Sequence, residues 1–207
     1  MKYLIYYFWT FILGNIIGVL IESIWCMIKY KKIESRKGLI YGPFNPLYGF
    51  AGLALTLAID INPNKSIGTV FITGVVIASI IEYLCSFFQE KAFGVVSWDY
   101  KDFKYNLNGR INLFYSIAWG LITTLWYFKI MNIVSNIMPF VSAHLSLTLI
   151  VLIFYIIDAE ISLVANIRRK KRKEKIYPKT KFEKSIDIIY NDERMEKVYP
   201  NSIFVEK

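Results

Sequence analysis

Long charge-poor segments alternate with short polar segments along this chain, which is typical of a protein whose helices lie in lipid. A helix that crosses a bilayer needs roughly 20 mostly apolar residues. Five segments come near this length, and we place them at about 3–28, 45–60, 66–88, 111–129 and 142–166. The pattern therefore predicts an all-α polytopic membrane protein of about five transmembrane helices.

The second segment is short and follows two prolines, Pro43 and Pro46. Proline has no backbone N–H and a fixed φ, so the backbone before this helix is expected to be irregular. Irregular backbone at membrane depth persists only where protein or water satisfies its polar groups. We therefore expect the stretch before Tyr48 to line a cavity, with a re-entrant element there as an alternative.

Two spans carry the same pattern of two small residues and one acid on one helical face. The spacing is four residues, which places all three on one side of a helix. Small residues let backbones approach closely in lipid. A carboxylate within an apolar span is costly and faces a partner, a cavity or a water-filled path. The residues are Gly14, Gly18 and Glu22 in the first span, and Gly74, Ala78 and Glu82 in the third, 60 residues later.

The similarity continues into the following loops, where residues 42–51 align with 109–118 at four identities in ten positions. Each predicted unit is a helix, a loop and a returning helix, at about 3–60 and 66–129. Corresponding helices cross in the same direction, so we predict parallel repeats about an axis along the membrane normal, as in some transporters. The fifth helix stands outside the repeats. The predicted domains are a transmembrane domain, 1–167, and a basic cytosolic tail, 168–207.

The charges are unevenly distributed over the chain. The net charge is +9, and the tail alone has 13 Lys and Arg against 7 Asp and Glu. Basic residues also concentrate in the first and third loops. Because basic loops stay in the cytoplasm, we predict a multi-pass protein of the cell membrane with its N-terminus outside and its C-terminus in the cytoplasm.

The tail begins with six consecutive basic residues, 168–173. Next to a span, such a run predicts attraction to anionic lipid headgroups, and this position argues against a nucleic-acid partner. Residues 182–190 have the pattern of a short amphipathic helix. We expect the remainder of the tail to be disordered or to bind a partner.

Acids of three spans are expected at one depth. Glu22 and Glu82 lie seven residues before the predicted cytoplasmic end of their spans, which is roughly 10 Å below that membrane surface. Asp158 lies at similar depth. Glu160 points away from Asp158. Arg110 is the expected counter-charge to Glu22 or Glu82. The acids form either a site for a cation, a proton or a cationic substrate, or purely structural pairs, since buried charges need partners.

These features together predict an acidic pocket between the repeats that opens towards the cytoplasm. For its loop residues, simple anchoring at the membrane interface is the alternative. The candidate binding residues are Glu22, Tyr41, Asn45, Tyr48, Glu82, Asp99, Arg110, Asn112, Tyr115 and Asp158.

An enzyme is less favoured by the sequence. Cys26 and Cys85 lie in apolar spans as small buried hydrophobic residues, and His144 is the single histidine. Zinc-ligand spacings are absent, so we predict no metal, no cofactor and no catalytic residue. Paired carboxylates could still perform acid–base chemistry on a lipid. A lipid-acting membrane enzyme and a structural or regulatory scaffold therefore stay as alternatives.

Four motifs carry a resemblance to a known family: the Glu22 helix, RKGLIYGPFNPLYG at 36–49, WDY at 98–100 and NLNGRINLFYSIAWG at 106–120. Over about 10–165 the chain resembles the ABC-transporter type IV family of small multi-pass membrane proteins. The resemblance implies a permease-like, small-molecule-binding membrane subunit. The chain has no Walker A motif, so it also implies a separate ATPase subunit, and it is compatible with a homo-oligomer.

Overall fold

Helices dominate the computed structural model, which describes residues 2–205. The long helices end at residues that the sequence marks with polar or glycine-containing loops. In chain order they are α1 (Lys2–Tyr30), α2 (Pro46–Ile61), α3 (Ile67–Phe93), α4 (Leu113–Leu125), a π-helical segment (Trp126–Ile130), α5 (Met131–Ala143) and α6 (Leu145–Lys173). The tail adds α7 (Lys181–Ile189) and α8 (Asp192–Val198).

Four helical stretches within residues 2–205 are long and apolar enough to cross a membrane: Lys2–Tyr30, Ile67–Phe93, Leu113–Ala143 and Leu145–Lys173. The second predicted span corresponds to α2, which is apolar but has only 16 residues. That length is below the roughly 20 residues of a full crossing. The fold is thus an all-α polytopic membrane protein with four long helices and one shorter apolar helix.

The loop before α2 is irregular, as its prolines predict, and α6 satisfies its backbone. Asp158 of α6 accepts hydrogen bonds from the N–H of Tyr41 at 3.0 Å and of Gly42 at 2.7 Å. Asn45 then caps α2, its Oδ1 accepting from the N–H of Leu47 at 3.2 Å, with Pro46 as the first helical residue. Buried protein contacts therefore hold this backbone in place.

The segment between the fourth and fifth predicted spans is helical, and the prediction of a loop there was wrong. The helix continues from α4 through the π-helical turn into α5, with Pro139 inside it. Its polar residues suggested a loop, but the buried ones recur at helical spacing: Met131, Val134, Met138 and Val141. Met138 and Val141 pack against Ile5 at the start of α1.

The glycine faces join each long helix to the helix that follows it. A Cβ on Gly14 of α1 would lie 2.8 Å from the carbonyl oxygen of Tyr48 in α2, and one on Gly74 of α3 would overlap Thr123 of α4. Only residues without a side chain permit these approaches. Two helix pairs result, α1–α2 and α3–α4.

The described part of the tail folds back onto the end of the helices where the two long loops lie, here called the loop end. Ile186 of α7 and Met195 of α8 pack against Ile40 and Ala165. Strand β4 (Ile203–Phe204) pairs antiparallel with β1 (Val95–Val96), and β2 (Asn106–Leu107) pairs with β3 (Ile111–Asn112). The predicted helix at 182–190 is confirmed as α7, whereas α8 and β4 replace the expected disorder.

Candidate functional site

A cavity of about 1120 Å³ lies between the two helix pairs at the loop end. Its volume slightly exceeds the usual range of small-molecule sites, about 300–1,000 Å³. We call it the loop-end cavity. Six of the predicted site residues line it: Glu22, Asn45, Tyr48, Glu82, Asp99 and Tyr115.

The environment of Glu22 follows from the glycine one helical turn before it. A Cβ on Gly18 would overlap the ring of Tyr48, so the bare glycine lets that ring lie against α1 and donate its hydroxyl to Glu22 Oε2. Arg36 of the first loop places Nη1 3.7 Å from Glu22 Oε1. Its Nη2 lies 2.7 Å from Cys26 Sγ. Glu22 therefore has both a hydroxyl donor and a cationic partner.

Glu82, its counterpart on α3, has neutral donors only. The Tyr100 hydroxyl donates to Oε1 at 3.0 Å and the Trp119 indole N–H donates to Oε2 at 3.0 Å. Glu82 is 4% exposed, and no Lys or Arg within residues 2–205 forms an ion pair with it. Burial, and then the charge of Glu82, raise the pKa of Tyr100, so this loop hydroxyl stays protonated and keeps donating.

Aromatic rings connect the surroundings of the two acids. The ring centroids of Tyr48 and Trp119 lie 5.9 Å apart, and Tyr100 stacks on Tyr115 at 4.8 Å. Trp119 and Tyr100 are the residues that hold Glu82. Aromatic side chains therefore link the donors of Glu82 to Tyr48, the donor of Glu22.

Arg110 does not face either of these acids, and its prediction as their counter-charge was wrong. It forms an ion pair with Glu90 in the last turns of α3, and its Nη1 donates to Ser86 Oγ at 3.2 Å. The guanidinium also lies over the rings of Tyr83 and Phe87, at 5.6 and 5.5 Å. Because Arg110 sits in the turn between β2 and β3, it reaches the end of α3 and does not line the cavity.

Asp158 and Tyr41 also lie outside the cavity lining. Asp158 is 1% exposed, and its carboxylate holds the loop before α2 and accepts from Ser162 Oγ at 3.3 Å. The Tyr41 hydroxyl forms a 2.7 Å hydrogen bond with the hydroxyl of Tyr190 in the tail. These two predicted site residues fix loops in this structure.

The two asparagines among the predicted site residues are N-caps of helices. Asn112 caps α4, its Oδ1 accepting from the N–H of Phe114 at 2.9 Å and its Nδ2 donating to the carbonyl of Lys104 at 2.6 Å. Asn45 caps α2 in the same way and donates to the carbonyl of Arg36 at 3.1 Å. Asn45 lines the cavity and Asn112 does not.

The tail supplies a cavity rim that the sequence did not reveal. Residues 199–203 line the loop-end cavity, and the Tyr199 hydroxyl donates to the carbonyl of Gly38 at 3.2 Å. Burial raises the pKa of Tyr199 to about 12, which keeps that donor protonated. Pairing of β4 with β1 holds the rim against the end of α3.

The basic run at the end of α6 is largely paired within the protein. Arg168 donates to Asp187 at 3.0 and 2.6 Å, and Arg172 donates to Asp187 and Asp192, at 2.7 Å each. The side chain of Arg168 is only 2% exposed. The expectation that this whole run contacts anionic lipid was therefore wrong for Arg168 and Arg172, because tail acids neutralise them.

Helix lengths, composition and architecture define a polytopic α-helical membrane protein with a cavity at one end of its bundle. The sequence model of the family described as "Putative ABC-transporter type IV" matches residues 9–163. This match covers more than half of the chain, and the protein belongs to that family. No curated protein and no solved structure shows a significant match. The tail rim lies beyond the matched residues.

Proposed function

We propose that this protein is a permease-like membrane subunit that binds a small molecule in the loop-end cavity. The observation that carries the proposal is the cavity itself, about 1120 Å³ with Glu22 and Glu82 in its wall. A cavity of this size with a few convergent polar groups is the usual form of a ligand site. Membership of an ABC-transporter-related family supports a transport role.

The two helix pairs are proposed to be parallel repeats that move relative to each other. Asn45 and Asn112 cap the second helix of each pair with corresponding hydrogen bonds. Gly14 and Gly74 each allow close packing within a pair. In transporter folds the substrate site lies at the interface of repeats, and the lining of this cavity comes from both helix pairs, which supports the proposal.

A separate ATPase subunit is proposed to dock at the loop end. The chain contains no Walker A motif for phosphate binding, so the energy for transport has to come from another component. The basic loops favour a cytoplasmic position for this end, where ATP is available.

Native mass spectrometry of the protein purified from its membranes tests the cavity as a ligand site. We expect a bound molecule that is lost in Glu82→Gln and retained in Glu160→Gln. Glu160 is the matched control because it is an exposed acid of α6. Absence of any bound molecule from the wild type, or equal retention in both variants, would contradict the proposal.

A further inference from the structure

Residues of both α1 and α4 line the loop-end cavity. α1 packs on α2 and α3 packs on α4, whereas α1 and α4 do not pack extensively on each other. Large lining residues on this side stay exposed: Ile21 by 42%, Trp25 by 53% and Phe114 by 71%. Because both helices belong to candidate membrane spans, a gap between them would face lipid.

The cavity has an apolar part and a polar part. Along α1 the lining residues before Glu22 are Gly14, Ile17, Gly18 and Ile21, and Gly14 lies eight residues or about 12 Å of helix from Glu22. Leu55 and Ile122 line the cavity from α2 and α4. The acids and the loop residues lie at the other end. A molecule that fits both parts is amphipathic, with its chain between the helices and its head at the loop end.

The charges of the wall favour a cationic head. Glu22 is already paired with Arg36, whereas among residues 2–205 the side-chain donors to Glu82 are Tyr100 and Trp119, both neutral. An ionised carboxylate has about four acceptor positions, so Glu82 keeps capacity for another donor. Tyr100 and Trp119 occupy two of these positions through their O–H and N–H groups, so a further donor would complete the shell of the carboxylate.

The basic residues of the same cavity are less suited to an anionic head. Lys29 and Lys32 lie exposed at the rim. Lys37 donates its Nζ to the carbonyls of Ile40 and Tyr41, at 3.2 and 3.3 Å, and Arg36 is paired with Glu22 and Glu34. Solvated or already bonded ammonium groups gain little from a further anion.

From this combination we propose that the cavity binds a membrane-resident amphiphile with a cationic amine head. The molecule enters from the lipid between α1 and α4, and its amine binds at Glu82. The inference rests on the proposed function, because it takes the loop-end cavity as the ligand site.

The test uses the full chain in phosphatidylcholine nanodiscs and native mass spectrometry with three probes: dodecylamine, methylammonium and dodecyl phosphate. We expect saturable binding of dodecylamine and much weaker binding of the other two. Glu82→Gln should weaken dodecylamine binding about tenfold or more, as loss of a charged hydrogen bond does. Glu160→Gln should leave it unchanged.

A second pair of variants tests the lipid opening without touching the buried acids. Ile21→Trp narrows the exposed edge of the cavity and should weaken dodecylamine binding severalfold. Leu20→Trp is the matched control, since Leu20 is the neighbouring residue, is 55% exposed and does not line the cavity. Equal effects of the two substitutions would overturn entry between α1 and α4.

The probes separate failure of this inference from failure of the proposed function. Preference for dodecyl phosphate overturns the cationic head, and equal binding of methylammonium overturns the amphiphile, while both leave the cavity as a ligand site. If no probe binds but the purified protein retains another molecule that Glu82→Gln releases, the inference fails alone. If nothing binds to the folded protein in either experiment, both fail.

Discussion

Glu22 and Glu82 occupy corresponding positions in the helical pattern, yet their charges are compensated differently. Arg36 lies 3.7 Å from Glu22, while hydroxyl and indole donors hold Glu82. A carboxylate paired with a cation contributes to stability through that pair, and removal of one partner leaves the other less compensated. Glu82 has no such partner within the described residues, which makes it the acid more available to a ligand.

The two acids should therefore respond differently to neutralisation. Glu22→Gln leaves the largely buried Arg36 with less compensation and should lower the free energy of unfolding by about 2 kcal/mol. Glu82→Gln should cost less than about 1 kcal/mol, because its amide can accept from Trp119 and donate to the Tyr100 oxygen. Denaturation in detergent measures both, with Glu160→Gln as control. A larger loss for Glu82→Gln than for Glu22→Gln would contradict this account of the two sites.

Gly18 offers a direct test of the contact that places Tyr48 beside Glu22. Gly18→Ala puts a Cβ into the Tyr48 ring and should destabilise by about 1–3 kcal/mol, as overpacking does. The matched control is Gly68→Ala in α3, where no described atom outside the adjacent residues and the local helix backbone lies within 4 Å of the new Cβ. That control should be neutral or slightly stabilising, because alanine favours helix. Thermal unfolding of both variants would show the difference, and equal melting temperatures would refute the close packing.

Among the elements, α7 is held to the bundle by ion pairs and by apolar packing. Asp187 is partly buried, which opposes ionisation, but hydrogen bonds from Arg168 and Arg172 outweigh this and hold the pKa of Asp187 below its ordinary value. Small apolar contacts around Ile186 complete the docking. A paired carboxylate of this kind couples the position of a helix to proton concentration.

Acid should accordingly release α7 from the bundle. Because the pKa of Asp187 is lowered in the folded state, its stabilisation is present above the unfolded pKa of about 3.9 and is lost as the pH falls through the folded pKa. Hydrogen exchange of residues 181–198, corrected for its intrinsic pH dependence, should rise below about pH 4. Asp187→Asn should produce the same rise at pH 7. Glu193→Gln, which removes an exposed pair with Lys197, is the control; an equal rise there would show that Asp187 is not the anchor.

At the scale of the whole molecule, the basic loops predict which side of the membrane each end faces. Single cysteines in place of Asn64 and Lys173, in a chain whose Cys26 and Cys85 are replaced by serine, give exposed reporters at opposite ends. A membrane-impermeant thiol reagent should label the first in intact cells and the second only after permeabilisation. Labelling of both from one side would reject the predicted topology.

Sequence patterns predicted the helices and their caps better than they predicted which side chains form ion pairs. The spacing of Gly18 and Glu22 follows from helical geometry alone, and the asparagine caps follow from local backbone chemistry. The choice between Arg36 and Arg110 as a counter-charge depends on how two long loops fold. Asn108 and Gly109 turn the loop between α3 and α4 through left-handed conformations, φ 54° and 69°. This turn comes directly before Arg110, which pairs with Glu90. The spacing of charges along the chain does not indicate which acid Arg110 will pair with.

The tail rim was missed for a related reason. Strand β4 is two residues long, and its pairing with β1 joins segments more than 100 residues apart. The pairing needs no local pattern, because backbone hydrogen bonds form between any residues brought to that distance. The acids of α7 and α8 likewise become partners of the basic run only after the chain folds back.

The rim also sets an order of events when the protein is made. Residues 199–203 are synthesised after all of the membrane helices, so a ribosome that has completed α6 has delivered the walls of the cavity but not its edge. The helices can enter the bilayer first, and the cavity acquires its final shape only when β4 reaches β1. A protein fused directly after Val205 would sit beside that edge and hinder its closure, whereas a fusion before α1 would lie at the opposite end of the bundle and leave the cavity undisturbed.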